Sequence, residues 1–493
     1  GKAGNRVSDG QRFGYRPGST RSTSPSIERR AGSPNVSASA LGDSLSQAQP
    51  VLNRIRTLAR RHASVQYVGL ARGADTTVPS SCSVLREWSS KLHSSPSLLR
   101  TYYVSPFSPS VDRCPEAVDL PLFDVRGRTS PVRSWDRATT DTIQTGLGAL
   151  GTWVRAGARS GLRVPHSPER QARSLERALF HVHDSTDAGP AAVFVYRWRD
   201  QSSTPLPARR YGLHDPTGAR RPAARVVEGF YRGSQRVFAF PSGSAPSSSP
   251  HALILLGWGL ILFLAGLFAG RPFVRQTAYR YFVAHGFYQD AVQKGRDVAP
   301  WINTLLLFLG ATATGLIATV LARLAASSPT TEHVLAALPS ALDGSLATGI
   351  SQPVLAGTVV GGLTVVLLAG WTGLLALTAR SKSFFSVPQA LMLVVWPGWL
   401  ILPGMVAALV TATNPPVSPA LLGGGLVLGG ILGSLGIVGR VLHDYHAVTD
   451  VSLPVTMALA LPSPPILVGL ILSVLAVQHQ VPFSLLWHLL TGT

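Results

Sequence analysis

Acidic residues are scarce, cysteine is nearly missing, and half of the chain carries almost no charge. Two cysteines among 493 residues exclude a disulfide-dense secreted scaffold, and 24 Asp+Glu against 44 Lys+Arg exclude an acidic tail protein. The 48 glycines follow no triplet repeat, which excludes a collagen-like chain. No G-x-S-x-G elbow, Walker-type phosphate loop, H-E-x-x-H or C-x-x-C occurs, so the common local signatures of hydrolase, nucleotide and metal sites are missing. Residues 1–250 hold 35 of the 44 basic and 18 of the 24 acidic residues, which leaves 9 and 6 for the remainder. The two halves are therefore different materials.

The second half contains long apolar runs. A hydrocarbon layer about 30 Å thick requires roughly 20 apolar residues in a helix, which satisfies its own backbone where no water can. Six segments meet that condition: Ala252 to Gly270, Trp301 to Leu324, Val354 to Thr378, Pro388 to Thr411, Ala420 to Leu442 and about Leu453 to Val477. The sixth carries Pro454, Pro462, Pro464 and Pro465, which predicts a broken or re-entrant start. In the fourth, Trp396-Pro397-Gly398-Trp399 and Pro403 predict an interrupted hydrogen-bond ladder.

Cations between the spans set an orientation. Arg271, Arg275, Arg280, Lys294, Arg296, Arg380, Lys382 and Arg440 fall on one side and Arg323 alone on the other, which places the first group in the cytoplasm and both termini outside. The expected fold is an α-helical integral membrane domain of about six spans (252–493), preceded by a small α+β extracytoplasmic domain (49–240). A disordered basic tail (1–48) and a flexible linker (241–251) flank that domain. The expected location is a bacterial inner membrane with the N-terminal domain in the periplasm, an organellar inner membrane being the alternative. An exported N-terminus beginning at Gly1 calls for a targeting peptide already removed, or for trimming of the chain.

Among the polar signals, Arg271, Arg275, Arg280, Lys294 and Arg296 alternate with Phe273, Tyr279, Phe282, Phe287 and Tyr288; this stretch is either a lipid-headgroup contact or a connector bearing the orientation charges. Gly357 and Gly361, and likewise Gly425, Gly429 and Gly433, recur every four residues and predict helix-packing faces, within the chain by default. His443, Asp444, His446 and Asp450 form the most metal-like cluster, although an interfacial loop needs polar residues anyway, and no metal or other cofactor is assigned. His181, His183 and Asp184 are read as a helix end.

In the first half, Ser167-Pro168-Glu169 with Ala172, Leu175, Leu179 and Val182 predicts a capped helix to His183, and Gln47 to His62 a second one. Strands are expected at Ala191 to Trp198 and, as a hairpin about Gly233-Ser234, at Arg225 to Tyr231 and Gln235 to Phe240. Cys82 and Cys114 are either one disulfide or two buried thiols. Arg209-Arg210 and Arg220-Arg221 raise nucleic acid, but an exported domain faces acidic proteins or lipid instead, so no nucleic acid is expected.

The aromatic-basic stretch Tyr279 to Phe287, Ser383-Phe384-Phe385, Leu402-Pro403 and the Arg440 to Leu453 link together resemble a poorly characterised, Bacteroidetes-type family of multi-span bacterial membrane proteins of unknown function. The five spans from Trp301 are also similar to Yip-type membrane proteins. Both resemblances cover the C-terminal half, imply an envelope location and supply no catalytic residue. The functional expectation is a non-enzymatic scaffold or accessory subunit that contacts membrane lipids and other membrane-protein subunits; the alternatives are a transporter or channel component built on the fourth and sixth spans, and an intramembrane enzyme around His443 and His446.

Overall fold

The computed structural model describes residues 67–72, 79–93, 100–106, 112–128, 144–184, 190–200, 209–244, 251–338, 340–379, 385–413 and 419–478, with isolated positions elsewhere. The expectations for 1–48, for most of Gln47 to His62, and for Arg380, Lys382, Ser383 and Phe384 lie outside those residues. The chain forms two compact units. One takes the sequence to Ser247 together with Pro329–Ala347, and the other takes Ser248–Ser328 and Thr348–His479. The segment after the second apolar helix, assigned by hydropathy to the membrane half, thus belongs to the first unit.

The first unit is built on a five-stranded sheet of β1 (Tyr67–Arg72), β2 (Arg100–Ser105), β3 (Leu120–Asp124), β4 (Gly146–Leu150) and β6 (Val193–Val195), in the spatial order β1-β2-β3-β4-β6. Every neighbouring pair is parallel. This corrects the hairpin-based α+β expectation to an α/β arrangement. Parallel strands need long crossovers and are covered on both faces, which is why β3 and β4 are buried at every position rather than at alternate ones. Helix α1 (Pro79–His93) makes the β1–β2 crossover, and α2 (Pro168–Asp184) lies between β4 and β6.

The α2 helix starts where its sequence predicts: Ser167 Oγ accepts the Arg170 amide at 3.0 Å, and Ala172, Leu175 and Leu179 are buried on one stripe. The expected hairpin is instead α3 (Pro222–Tyr231), and no strand covers 235–240. β-branched Val226-Val227 suggested a strand, yet Ala223, Ala224, Val226 and Gly229 are buried at helical spacing and Pro222 opens the helix. Gly233-Ser234 closes it: Ser234 N–H donates to Gly229 O at 3.0 Å and Gly233 N–H to Phe230 O at 3.1 Å, with Gly233 at φ +64°, the Schellman arrangement. The start of the expected linker is bonded as well, Leu162 N–H to Pro241 O at 2.9 Å and Arg163 N–H to Ser242 O at 2.8 Å. Gly161 and Gly243, both at positive φ, make that approach possible, because a Cβ on Gly161 would lie 2.4 Å from the Gly243 Cα.

The second unit holds five helices long and apolar enough to cross a membrane: Ala252–Gly270, Pro300–Ser327, Pro353–Ala379, Val387–Thr413 and Gly425–Thr449. The fourth contains a 3-10 turn at Trp396–Leu400, with Pro397 in its first positions, where the α-helical ladder is lost. The sixth expected span divides into Leu453–Ala458 and Pro464–Gln478; the latter has 15 residues, short of the length a bilayer needs. Its prolines open each piece and cannot continue the preceding one.

Candidate functional site

Parallel sheets bind ligands beyond the carboxyl ends of their strands. At that edge β3 ends in Asp124, whose carboxylate accepts the Arg126 Nε at 2.9 and 2.8 Å and the Arg126 amide at 3.1 Å. The short antiparallel pair β5 (Val154–Arg155) and β7 (Arg209–Arg210) sets Arg155 opposite Arg209. The Arg209 guanidinium lies 4.2 Å from the Trp153 ring centre, and the His166 ring is stacked on the same indole at 4.1 Å and 14°. Trp153 thus contacts both groups through its ring. Arg126 lies 4.5 Å over Tyr196 and 5.8 Å from Tyr211.

The helix 331–337 supplies the remaining side chains. Arg126 Nη1 donates to Glu332 Oε2 at 3.3 Å, Arg209 Nη1 lies 3.6 Å from Glu332 Oε1, and His333 Nδ1 lies 3.4 Å from Arg126 Nη2. The chain fits closely here: Gly127 has φ +69°, and a Cβ on it would meet the Pro329 Cβ at 2.7 Å. Burial works against the Arg126 charge, but Asp124, Tyr196 and Glu332 outweigh it and hold the guanidinium above its ordinary value. Burial pushes the neighbouring Arg128 down, only partly offset by Asp124. His166 is lowered to about 4, first by burial and then by Arg155, Arg170 and Arg209. The Tyr211 phenol is raised by burial and by Glu332.

The other half of this edge is stapled. Cys82 and Cys114 are joined by a disulfide, Arg113 N–H donates to Thr76 O at 3.0 Å, and Tyr103 Oη donates to Asp112 Oδ2 at 2.8 Å. Burial raises the Asp112 carboxyl despite these bonds. At the opposite edge, Ser89, His93 and Asp119 are connected in the order of a hydrolytic triad. The Ser89 Oγ, however, is buried, 2.7 Å from Thr101 Oγ1 and 3.5 Å from His93 Nδ1, so it presents no accessible nucleophile.

In the second unit the expected metal-like cluster is not assembled. Asp444 turns to His285 Nε2 at 2.8 Å and Gln289 Nε2 at 3.1 Å, with Arg440 Nε at 3.6 Å. His446 Nδ1 lies 2.7 Å from Val451 O, and no group of three metal-binding side chains occurs among the described residues. Consecutive positions on a helix point apart, and tertiary packing selected a partner 159 residues away. Of the headgroup candidates, Arg280 pairs with Asp297 at 2.7 Å, Lys294 with Asp290 at 2.6 Å, and Arg271 lies 5.4 Å over Trp301; Arg275 and Arg296 are exposed, as are Tyr279, Phe282 and Phe287.

The glycine faces divide. A Cβ on Gly357 would meet Gly315 O at 2.4 Å and Thr319 Oγ1 closer still, and one on Gly361 would meet Ala311 O at 3.1 Å. Nothing described lies within 4 Å of a Cβ on Gly425, Gly429 or Gly433. The cleft beside the 3-10 turn is lined by apolar side chains, among them Leu306, Leu307, Leu368, Trp399 and Leu402, and offers little to replace the hydration of a polar solute. The arginine pairs form no open basic stripe: Arg209 is buried, Arg221 pairs with Asp200 and Arg220 with Glu228.

Sequence reading missed Asp124, Arg126, Glu332 and His285. A usable signal existed for the first three: charge directly after the apolar run Leu120–Phe123, and an acid–histidine pair in a connection otherwise poor in charge.

Fold and site define a class: an α/β unit with a charged, closed carboxyl edge, joined to a unit of membrane-length helices. No protein-family profile matches the chain, nor does any curated protein. Among solved structures it is similar in part to a GH2 β-galacturonidase from Eisenbergiella tayi bound to galacturonate (16% identity, TM-score 0.34, covering 39% of this chain and 38% of that one). It is also similar to a β-D-glucuronidase from Dictyoglomus thermophilum (15%, 0.32, 41% and 37%). The match spans less than two fifths of the length of either.

Proposed function

We propose that this chain is a non-enzymatic integral membrane scaffold or accessory subunit of a larger membrane complex, its basic α/β unit making protein contacts on the extracytoplasmic side of a bacterial inner membrane. The observation that carries this reading is the contrast between its glycine faces. Gly357 and Gly361 are filled by the second helix, whereas among the described residues nothing lies within 4 Å of a Cβ on Gly425, Gly429 or Gly433, which stand beside exposed Leu428, Ile431 and Leu432. In lipid, apolar helices gain little from burying apolar surface, so a small-residue face is where another helix gains close packing. Membership of Pro329–Ala347 in the first unit supports two crossings between it and the N-terminal half, which put both on one side; that this side is extracytoplasmic rests on the distribution of cations among the connections.

Purification in mild detergent tests the reading. A stoichiometric membrane partner that is lost on Gly429→Leu is the expected result. A solitary protein that moves a solute across liposomes sinks it. Protease added to spheroplasts, whose outer membrane is opened and inner membrane intact, is expected to digest the first unit.

A further inference from the structure

We propose that the two short helices between the first and second membrane-length helices form an interfacial contact for anionic lipid, in which Phe282 and Phe287 enter the headgroup layer while Arg271, Arg275 and Arg296 pair with lipid phosphates. The inference rests on the membrane reading of the apolar helices and is independent of the scaffold role.

The segment is built as a platform. Its helices, Pro272–Phe282 and His285–Gln293, bury Val274, Thr277, Ala278 and Tyr281 in the one and Tyr288, Ala291 and Val292 in the other. Two hydrogen bonds fasten it to the fourth membrane-length helix: Tyr288 Oη donates to Met392 O at 3.1 Å, and Gln389 Nε2 donates to Val292 O at 2.7 Å. That leaves an outer face, which a connector lying in water would make polar. Here Arg275, Tyr279 and Phe282 follow one another at helical spacing, and exposure reaches 60% for Phe282, 68% for Val283 and 73% for Phe287. The segment starts where the first membrane-length helix ends, at Gly270, and enters the second at Pro300, so both of its ends are held at one surface of the bilayer. Trp301, exposed and 5.4 Å from the Arg271 guanidinium, marks that level as an interfacial indole does.

Charge selects the lipid. Arg280 and Lys294 are neutralised within the chain by Asp297 and Asp290. Arg275 and Arg296 are exposed and form no ion pair among the described residues, and the Arg271 guanidinium meets an aromatic ring rather than an acid. Cations without counter-charge beside exposed aromatic rings suit a headgroup layer, with the guanidinium forks on phosphate oxygens and the rings at the boundary with the acyl chains.

Single nitroxide labels test this on the full-length protein in vesicles. Cys82 and Cys114 are joined, so one introduced cysteine is labelled alone. Phe282→Cys and Phe287→Cys report the contact, and Leu262→Cys, at an exposed position of the first membrane-length helix, reports insertion. Collision of each label with oxygen, which concentrates in lipid, is compared with collision with a neutral, water-soluble nickel chelate, in vesicles of phosphatidylcholine alone and of phosphatidylcholine with phosphatidylglycerol. The expected result is oxygen-dominated collision at both phenylalanine positions that strengthens with phosphatidylglycerol, and loss of that strengthening in an Arg275→Gln/Arg296→Gln background. Nickel-dominated collision at both positions makes the segment an aqueous connector, and protection from both reagents makes it a protein contact; either overturns the proposal, and oxygen-dominated collision at the Leu262 position shows that the membrane reading survives. Nickel-dominated collision at the Leu262 position removes that reading and the proposal with it. A response to phosphatidylglycerol that is missing, or that persists in the arginine variant, overturns the assignment of anionic lipid.

Discussion

Asp444 on the fifth membrane-length helix and His285 on the helix His285–Gln293 meet at 2.8 Å although 159 residues separate them. The carboxylate is fully buried, and the other ring nitrogen of His285 lies 3.0 Å from the Tyr281 carbonyl. Both ring nitrogens therefore lie within hydrogen-bond distance of an oxygen. Removing the ring by His285→Ala leaves a buried carboxylate with only Gln289 and the more distant Arg440, and is expected to cost about 3 kcal/mol in detergent unfolding. Replacing both, as His285→Leu/Asp444→Leu, is expected to recover most of that loss. A double variant as unstable as the single one contradicts this account.

The pH dependence of the first unit has a definite sign. His166 binds its proton at about 4 in the fold and near 6.5 when unfolded, so the unfolded chain takes up more protons between those values. Its contribution is fully present above about 6.5 and is lost as the pH falls toward 4. His166→Phe keeps a ring against Trp153 and removes the titration. The stability difference between wild type and this variant is expected to shrink over that window; a constant difference from pH 8 to 4 counts against the assignment. Glu169 and Asp119, whose carboxyls are held below their ordinary values, act in the same direction at lower pH.

The two glycine faces predict opposite outcomes for one substitution. Gly357→Leu forces apart helices whose backbones touch at Gly315 and is expected to lower stability by several kcal/mol. Gly429→Leu, with nothing within 4 Å, is expected to leave the isolated protein within about 0.5 kcal/mol of wild type. Thermal unfolding of the purified chain compares them directly.

The Cys82–Cys114 bridge closes a loop with a sequence separation of 32, which by chain entropy is worth about 3 to 4 kcal/mol. Reduction, or a Cys82→Ser/Cys114→Ser double variant, is expected to lower the urea midpoint of the first unit accordingly. An unaltered midpoint after complete reduction contradicts a stabilising role for the bridge.

Local signals were read well wherever local physics sets the outcome. Ser167 capped the helix it precedes, Pro397 interrupted the ladder around it, and four of the five membrane-length helices start and end within three residues of their apolar runs. Where two local preferences competed, burial arbitrated: Val226-Val227 leans to strand by propensity, but the stripe through Ala223, Ala224 and Gly229 packs as a helix, and Gly233 became its terminus rather than a hairpin turn. The same holds for the sheet, since pairing direction depends on where crossovers lead the chain and not on the strands themselves.

Composition and periodicity alone thus established the apolar half, its helices and their punctuation, because hydrocarbon length and backbone hydrogen bonding act on contiguous residues. Folding in three dimensions decided the parallel sheet, the Arg126–Glu332 closure, the His285–Asp444 pair and which glycine face is filled. Each of these joins groups tens to hundreds of residues apart, and a contact across that span leaves no periodic trace in the chain that makes it.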